Sequence, residues 1–516
     1  MSKKNRERKS HNRERLRDLG IADSNLSRAQ KRQLMRDMSS VPTLVEIREE
    51  VADYSAASII AGLGSQKTLE PFVVSRLVHE AAQSAGATPI SADQLRVLGS
   101  RLMQVADPEL IKRAGTDLTD GAMARMLPQQ LIGQSDFLAD IHRVLAVLAP
   151  ETETGTIGRA AWRDLLGMEL TDLIVGVMGM SGLIGPDGTI AVARLAQLPE
   201  TVGDIMTRSI SLLSADLDGI RRAVSDDERR LGADVIRGLG PLVRFPIIRL
   251  PDDGLVVPSR VHLESALSTA GLYIRLIRAD ASAMTRERTE AAGAAFEEYL
   301  QRIAAESLPD GWVVTDLDED AEPHASRADF LLIPPDGNFV LVVESKTTLQ
   351  ALTAQLRPWD DRSLVDDLYQ RAFDQVDASA KDLAGVDIPV FGLVVTLDRH
   401  VTTRLGGRTY VGVPIVAPAP TTPAASSRTP VRVISAQDFE DLVEVLACGV
   451  EDPAAFFAGF YDDGSSMNAT EWIHSGLPDE VTEDSLTDRL RVGALRRLAS
   501  GVDDDAVRAA VAAALG

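Results

Sequence analysis

The hydrophobic period changes partway along this chain, and that change limits the possible folds more than any other feature. From about Val41 to Ala281 apolar residues recur at three- and four-residue intervals, as in PFVVSRLVHEAA and DFLADIHRVLAVLA, the spacing of one helix face. The exception is PLVRFPIIRLPDDGLVVPS, where Asp253-Gly254 sits between β-rich runs as a hairpin turn does. A long helical stretch then runs through Glu298, Tyr299 and Leu300. After it GWVVTDL, RADFLLI, NFVLVVESK and PVFGLVVTL read as strands, with the helix-like SLVDDLYQRAFDQVDASAKDLA before the last of them. VRVISAQDFEDLVEVLA continues as strand then helix, behind a Pro/Ser/Thr-rich loop at 417–430. Two kinds of pattern need two kinds of core, and 516 residues are too many for one ordinary core.

The expected organisation is a basic, disordered arm over 1–42 and a mostly helical domain of unknown role over 43–281, with a β-hairpin near 242–258. An α/β domain over 282–450 and a helical tail over 451–516 follow. The composition, 45% hydrophobic and 25% charged, is that of folded protein. A single cysteine, Cys448, excludes an internal disulfide and a Cys-based zinc cluster, and points to the cytoplasm. The uncharged, apolar stretch Leu173 to Pro186 is shorter than the roughly 20 residues a membrane span needs and reads as buried helix. Its glycines, in GVMGMSGLIG, follow no strand in dinucleotide-binding spacing and read as sites of close helix packing. GLGSQKT is not a phosphate-binding loop, since Gln66 and Ala61 stand where that loop needs glycine. The seven histidines form no zinc-ligand spacing, and GPDGT near Asp187 has too few carboxylates for a calcium loop.

Charge is unevenly placed. Residues 1 to 41 hold 12 Lys and Arg against 5 Asp and Glu, a net of +7, which leaves −29 on the other 475 residues. Such a split suggests a tail with its own partner, and a body that repels polyanions except at local positive features.

The chemistry-bearing residues lie between Arg286 and Leu397. They are Glu297 in GAAFEEYL, Asp329 in RADFLLI, and Glu344 with Lys346 in VLVVESK. Strand alternation sets Glu344 and Lys346 on one face with Val340 and Val342, while Ser345 points the other way. Charges at the end of an apolar strand are costly to bury unless they pair or bind a ligand. The link PPDGN has the residues of a tight hairpin. With a four-residue loop from Pro335 to Asn338, Pro334 faces Phe339 and Asp329 faces Glu344, about 5 Å apart. One residue more or less turns Asp329 to the wrong face. Two carboxylates that close repel, and a hard divalent cation such as Mg²⁺ relieves the repulsion.

This arrangement resembles the PD-(D/E)XK nuclease superfamily, the restriction-endonuclease-like fold, over roughly Arg286 to Cys448. Gly293, Phe296 and Glu297 match the helix pattern that precedes the hairpin, Asp329 the hairpin Asp, and Glu344 and Lys346 the E-x-K. Ala328 stands where the motif has Pro, and the gap between Phe330 and Glu344 is short. Lys346 is the only lysine between Lys112 and Lys381 in a chain of 8 lysines and 46 arginines. Its compact ammonium is not interchangeable with guanidinium. The fold class implied is α+α/β: a mostly helical N-terminal domain, then a restriction-endonuclease-like domain with a central mixed sheet flanked by helices.

The resemblance implies a Mg²⁺-dependent endonuclease, with Mn²⁺ as a substitute, that hydrolyses phosphodiester bonds in DNA. Asp329 and Glu344, with the backbone carbonyl of Ser345 and with Glu297, are the implied metal ligands, and Lys346 positions water and stabilises developing charge. Gln375 resembles the family glutamine on the helix after E-x-K, with Gln370 as its competitor. Arg357, Trp359, Arg362 and Arg371 are candidates to stack on a base or grip phosphate. A homodimer is a further implication, and a membrane is not. The alternative is a catalytically silent nucleic-acid-binding or interaction module of the same fold.

Overall fold

In the computed structural model, the described residues are Asp18, 27–38, 40–105, 137–149, 159–231, 241–269, 271–272, 286–317, 327–347, 362–383, 388–397, 403–405, 408–410, 429–448, 450–461, 472–473, 475–476 and 485–501. They divide into two units, residues 1–133 with 175–266 and residues 134–174 with 267–516.

The first stretch carries α1 (Arg28–Asp37), α2 (Leu44–Ala52), α3 (Ala56–Leu63), α4 (Pro71–Gln83) and α5 (Ala92–Met103). Part of the arm expected to be disordered is therefore helical; apart from Asp18, residues 1–26 lie outside the described residues. Capping boxes open α2 at Thr43 and Glu46 and α5 at Ser91 and Gln94, and Pro71 takes the first turn of α4, where its missing N–H costs nothing. Helix α4 is buried along nearly its whole length, with Val73, Val74, Leu77 and Val78 packed against Ile47, Ile59, Ile60, Leu95 and Leu98.

Next along the chain are α6 (Phe137–Leu148), α7 (Arg159–Leu166), α8 (Leu170–Leu183), α9 (Val192–Leu195) and α10 (Glu200–Leu213). A Cβ on Gly176 of α8 would come within 2.7 Å of Ser209 Cβ on α10, so the glycine permits the close helix packing expected there. Strand β1 (Ser214–Asp216), α11 (Leu217–Leu231), β2 (Ile247–Arg249), β3 (Leu255–Val256) and α12 (Arg260–Ser265) complete this part. The expected hairpin is present, with Ile248 opposite Val256. It is not isolated, because β1 adds a parallel strand beside β2. The left-handed turn position is taken by Asp253, at φ 63°, rather than by Gly254.

The second unit holds α13 (Arg286–Ser307), β4 (Val313–Asp316), β5 (Phe330–Ile333), β6 (Val340–Lys346), α14 (Arg362–Asp382) and β7 (Val390–Thr396). A small ribbon, β8 (Thr403–Leu405) with β9 (Arg408–Tyr410), precedes β10 (Val431–Ser435), α15 (Ala436–Ala447), α16 (Pro453–Phe460) and α17 (Leu486–Gly501). The main sheet has the order β10-β7-β6-β5-β4. Strands β4, β5 and β6 are antiparallel neighbours, while β7 and β10 run parallel to β6. The parallel step from β6 to β7 is made through α14, as a crossover requires.

Each face of this sheet is covered by helix. Val340 and Val342 of β6, Val394 of β7 and Val433 of β10 pack against Ala372 and Val376 of α14. On the other face Phe330 meets Phe439 of α15 edge-on, 6.4 Å between centroids, and α13 packs on both β6 and α15. The tail is built into this core. Phe457 packs on Phe339 and Phe391, Tyr461 stacks on Phe391 at 4.9 Å, and the Tyr461 hydroxyl donates to Gly392 O at 2.6 Å.

Helix α6, placed by its sequence in the helical half, packs in the second unit with α13 and α17. The contact includes a buried ionic cluster. Arg143 of α6 gives two hydrogen bonds to Glu440 of α15, at 2.9 and 2.8 Å, and a third to Asp140; the Tyr299 hydroxyl of α13 also donates to Glu440, at 2.7 Å. Paired charges tolerate such burial where lone ones would not. No helix of the described residues is long and apolar enough to cross a membrane.

Candidate active site

The site begins with a strand register. Asp329, one residue before the ladder, donates its N–H to Val343 O at 3.0 Å. Leu332 pairs with Leu341, Leu331 with Val342 and Phe330 with Val343. That is the alignment a four-residue Pro335–Asn338 loop requires. The turn closes through the Gly337 N–H, which donates to Pro334 O at 2.9 Å, with Gly337 at φ 62° where a side chain would be strained. Asp329 precedes β5 in a bend, and its Oδ2 accepts the Ser345 N–H at 2.6 Å, tying it to the end of β6.

Glu344 is wholly buried, yet it is the last apolar-face residue before the half-buried Lys346. Lys346 Nζ donates to Glu344 Oε1 and also to Gln375 Oε1, at 3.1 Å. Gln375 in turn donates through Nε2 to Arg327 O at 2.9 Å, which fixes which amide atom faces the lysine. Gln370, its competitor in the sequence, is exposed and bonds Asp374 at 2.8 Å. Glu297 lies half-buried on α13 and accepts from Gln301 at 3.2 Å.

Burial, first, and then the neighbouring charge of Asp329 push the Glu344 carboxyl up to about 8; the Lys346 ammonium pulls the other way, and Glu297 adds to the rise. The four residues thus act on one another electrostatically: Glu297, Asp329 and Lys346 all contribute to the state of Glu344.

A Cβ on Gly293 would meet only Thr347 Oγ1, at 3.8 Å, an ordinary contact, so glycine is not needed there to make room for Glu297. Arg371 is exposed, Arg362 lies in the first turn of α14, and Arg357 and Trp359 lie outside the described residues. One residue escaped sequence reasoning. Ser379, buried on α14 one turn beyond Gln375, accepts the Ala328 N–H at 2.9 Å. The i,i+4 spacing of Gln375 and Ser379 on an otherwise apolar face was the available signal.

Whether a hard divalent cation suits these residues can be judged from Glu344 itself. Its Oε2 is buried with no hydrogen-bond partner, an arrangement that leaves a full desolvation penalty unmet. A cation between Glu344 and Asp329 would satisfy that oxygen and relieve the repulsion of the two carboxylates. Among the described residues no three His, Cys, Asp or Glu side chains converge as a metal cage. An open site with one or two carboxylates and several waters is the usual form for Mg²⁺, so the residues fit that ion.

Comparison of the chain with family models, with curated proteins and with solved structures finds no match.

Proposed function

We propose that the second unit is a metal-dependent nuclease of restriction-endonuclease-like fold that hydrolyses phosphodiester bonds in DNA. The observation that carries this reading is the Glu344–Lys346 pair, with Asp329 bonded to Ser345 between them, the orphaned Glu344 Oε2, and Gln375 holding the lysine. Asp329 and Glu344 would hold the ion, with the Ser345 carbonyl as a further oxygen donor, and Glu297 would act on the site through its charge. When bound, Mg²⁺ supplies polarisation of a phosphoryl oxygen and a water of lowered pKa.

The chain's own residues do the rest. Lys346 presents its ammonium at the rim of the buried pair, where it can donate to a phosphoryl oxygen as negative charge develops. Gln375 keeps that ammonium aimed, because its own amide is anchored on Arg327 O. The dry valine face of β6 beneath Glu344 keeps the local dielectric low and the charge interactions strong. The single free cysteine suits a cytoplasmic setting.

The test is incubation of the purified protein with plasmid, linear and single-stranded DNA in Mg²⁺, Mn²⁺ or EDTA. Cleavage in the metals and none in EDTA is the expected outcome, and Lys346→Ala should lose it while still folding and binding DNA. Equal survival of every substrate in every condition removes the nuclease and leaves a silent module of the same fold.

A further inference from the structure

The acidic body of this chain needs a local route to a polyanion, and one helix outside the candidate active site has the right surface for it. Helix α1 reads RAQKRQLMRD and has no acidic residue in its first turn. Arg28, Arg32 and Arg36 follow one another at four-residue intervals, about 6 Å apart along the axis and on one face. All three are exposed. Their recorded bonds stay within the helix, Arg32 Nε to Arg28 O at 3.2 Å and Arg36 Nη2 to Gln33 Oε1 at 2.8 Å, and among the described residues no carboxylate pairs with any of them.

Like charges at i,i+4 work against the helix that carries them. The residues before α1 share the same sign, since residues 1 to 41 carry a net of +7 against −29 elsewhere. We propose that the exposed arginine row Arg28–Arg32–Arg36 of α1 is a docking surface for the phosphate backbone of nucleic acid, and that it recruits substrate independently of the metal-binding residues.

Charge complementarity selects this occupant. Guanidinium groups in a row match successive phosphates and need no base contact, so binding is sequence-independent and steeply salt-dependent. An anionic membrane surface is the poorer fit, because a helix that lies in a bilayer interface needs a broad apolar face and α1 has only Leu34 and Met35 as large apolar residues. The proposal relies on the nuclease reading only for the nature of the polyanion.

The experiment uses the full chain in EDTA, where no cleavage intervenes. Binding of a fluorescent duplex is measured by anisotropy across a salt series for the native protein and for Arg28→Gln, Arg32→Gln and Arg36→Gln combined. The exposed positions leave the fold intact, which circular dichroism checks. We expect at least about a tenfold loss of affinity at low salt and a fall of about 2 to 3 in the slope of log affinity against log salt, near 0.9 for each phosphate contact removed. The variant should still cleave saturating DNA in Mg²⁺.

Unchanged affinity and slope overturn the proposal. Tighter binding by the variant overturns it too, and assigns the row to the chain's own acidic surface. Loss of binding to phosphatidylserine vesicles with DNA affinity unchanged overturns it in favour of lipid. Loss of cleavage by Lys346→Ala with DNA binding kept tests the active site separately, so the two readings fail in different assays.

Discussion

A carboxyl group sealed beside two others keeps its proton far above the usual carboxylate range, and Glu344 is such a group, pushed up to about 8 by burial and by Asp329. The folded state therefore binds a proton that the unfolded state releases near pH 4.5. The stability it contributes is fully present below that pH and is lost as pH rises through about 8. In EDTA the native protein should lose on the order of a few kcal/mol between pH 5 and 8 relative to Glu344→Gln, at about 1.4 kcal/mol per pKa unit. Urea unfolding of both proteins at the two pH values measures it; parallel curves would mean that Glu344 is not sealed. Ala328 is a second residue whose identity has a local cause. Its N–H is spent on Ser379 Oγ, so a proline there removes a buried hydrogen bond. Ala328→Pro should destabilise the protein by roughly 1 to 3 kcal/mol, again read from urea midpoints.

At the scale of elements, the closeness of α14 to the sheet decides whether Gln375 reaches Lys346. Gly392, in the middle of β7, permits that closeness, since a Cβ on it would lie 2.9 Å from Val431 and would press still harder on Val376. Val376 is the residue after Gln375. Gly392→Ala should push α14 outward and cost about 1 to 3 kcal/mol of stability by overpacking; under the proposed nuclease function it should also lower cleavage more than DNA binding, because the amide no longer holds the lysine. A variant that unfolds at the native urea midpoint and cleaves at the native rate would show that α14 has slack. The ring cluster of α16 works on the same strand from the other side, with Tyr461 anchored on Gly392 O. Shifts at Gly392 therefore reach two helices at once.

Across the whole molecule, three histidines oppose Glu344 in sign. Burial, aided by Arg76 at His79 and by Arg497 at His142, lowers His79, His142 and His262 to about 4. Each stays neutral in the folded state, so its contribution is present above the unfolded value of 6.5 and disappears as pH falls toward 4. Acid should destabilise the protein by roughly 2 to 3 kcal/mol per histidine by pH 4. His262, whose Nδ1 is buried without a partner, is the cleanest probe. Unfolding free energies at pH 7 and 4.5 should converge for His262→Leu by its share, and identical pH dependence in the two proteins would contradict its burial.

Much of this was legible in the sequence because it depends on local periodicity. The strands of the main sheet, helix α14, and the register of β5 on β6 up to Phe330 and Val343 all follow from alternation and from the turn chemistry of PPDGN. The choice of Gln375 over Gln370 was not legible, since both lie on one helix and only the rotation of α14 against the sheet separates them. Nor was the place of α6 or of the aromatic tail. Arg143 finds Glu440 across 297 residues of chain, and Tyr461 finds Gly392 across 69. Such contacts are set by which surfaces meet in three dimensions, and no spacing along the chain encodes them. By itself the sequence determined where the charges sit on their strands and helices; the tertiary structure alone decided which of them are sealed from water, and burial is what turns a strand-end glutamate into a group that holds its proton to about pH 8.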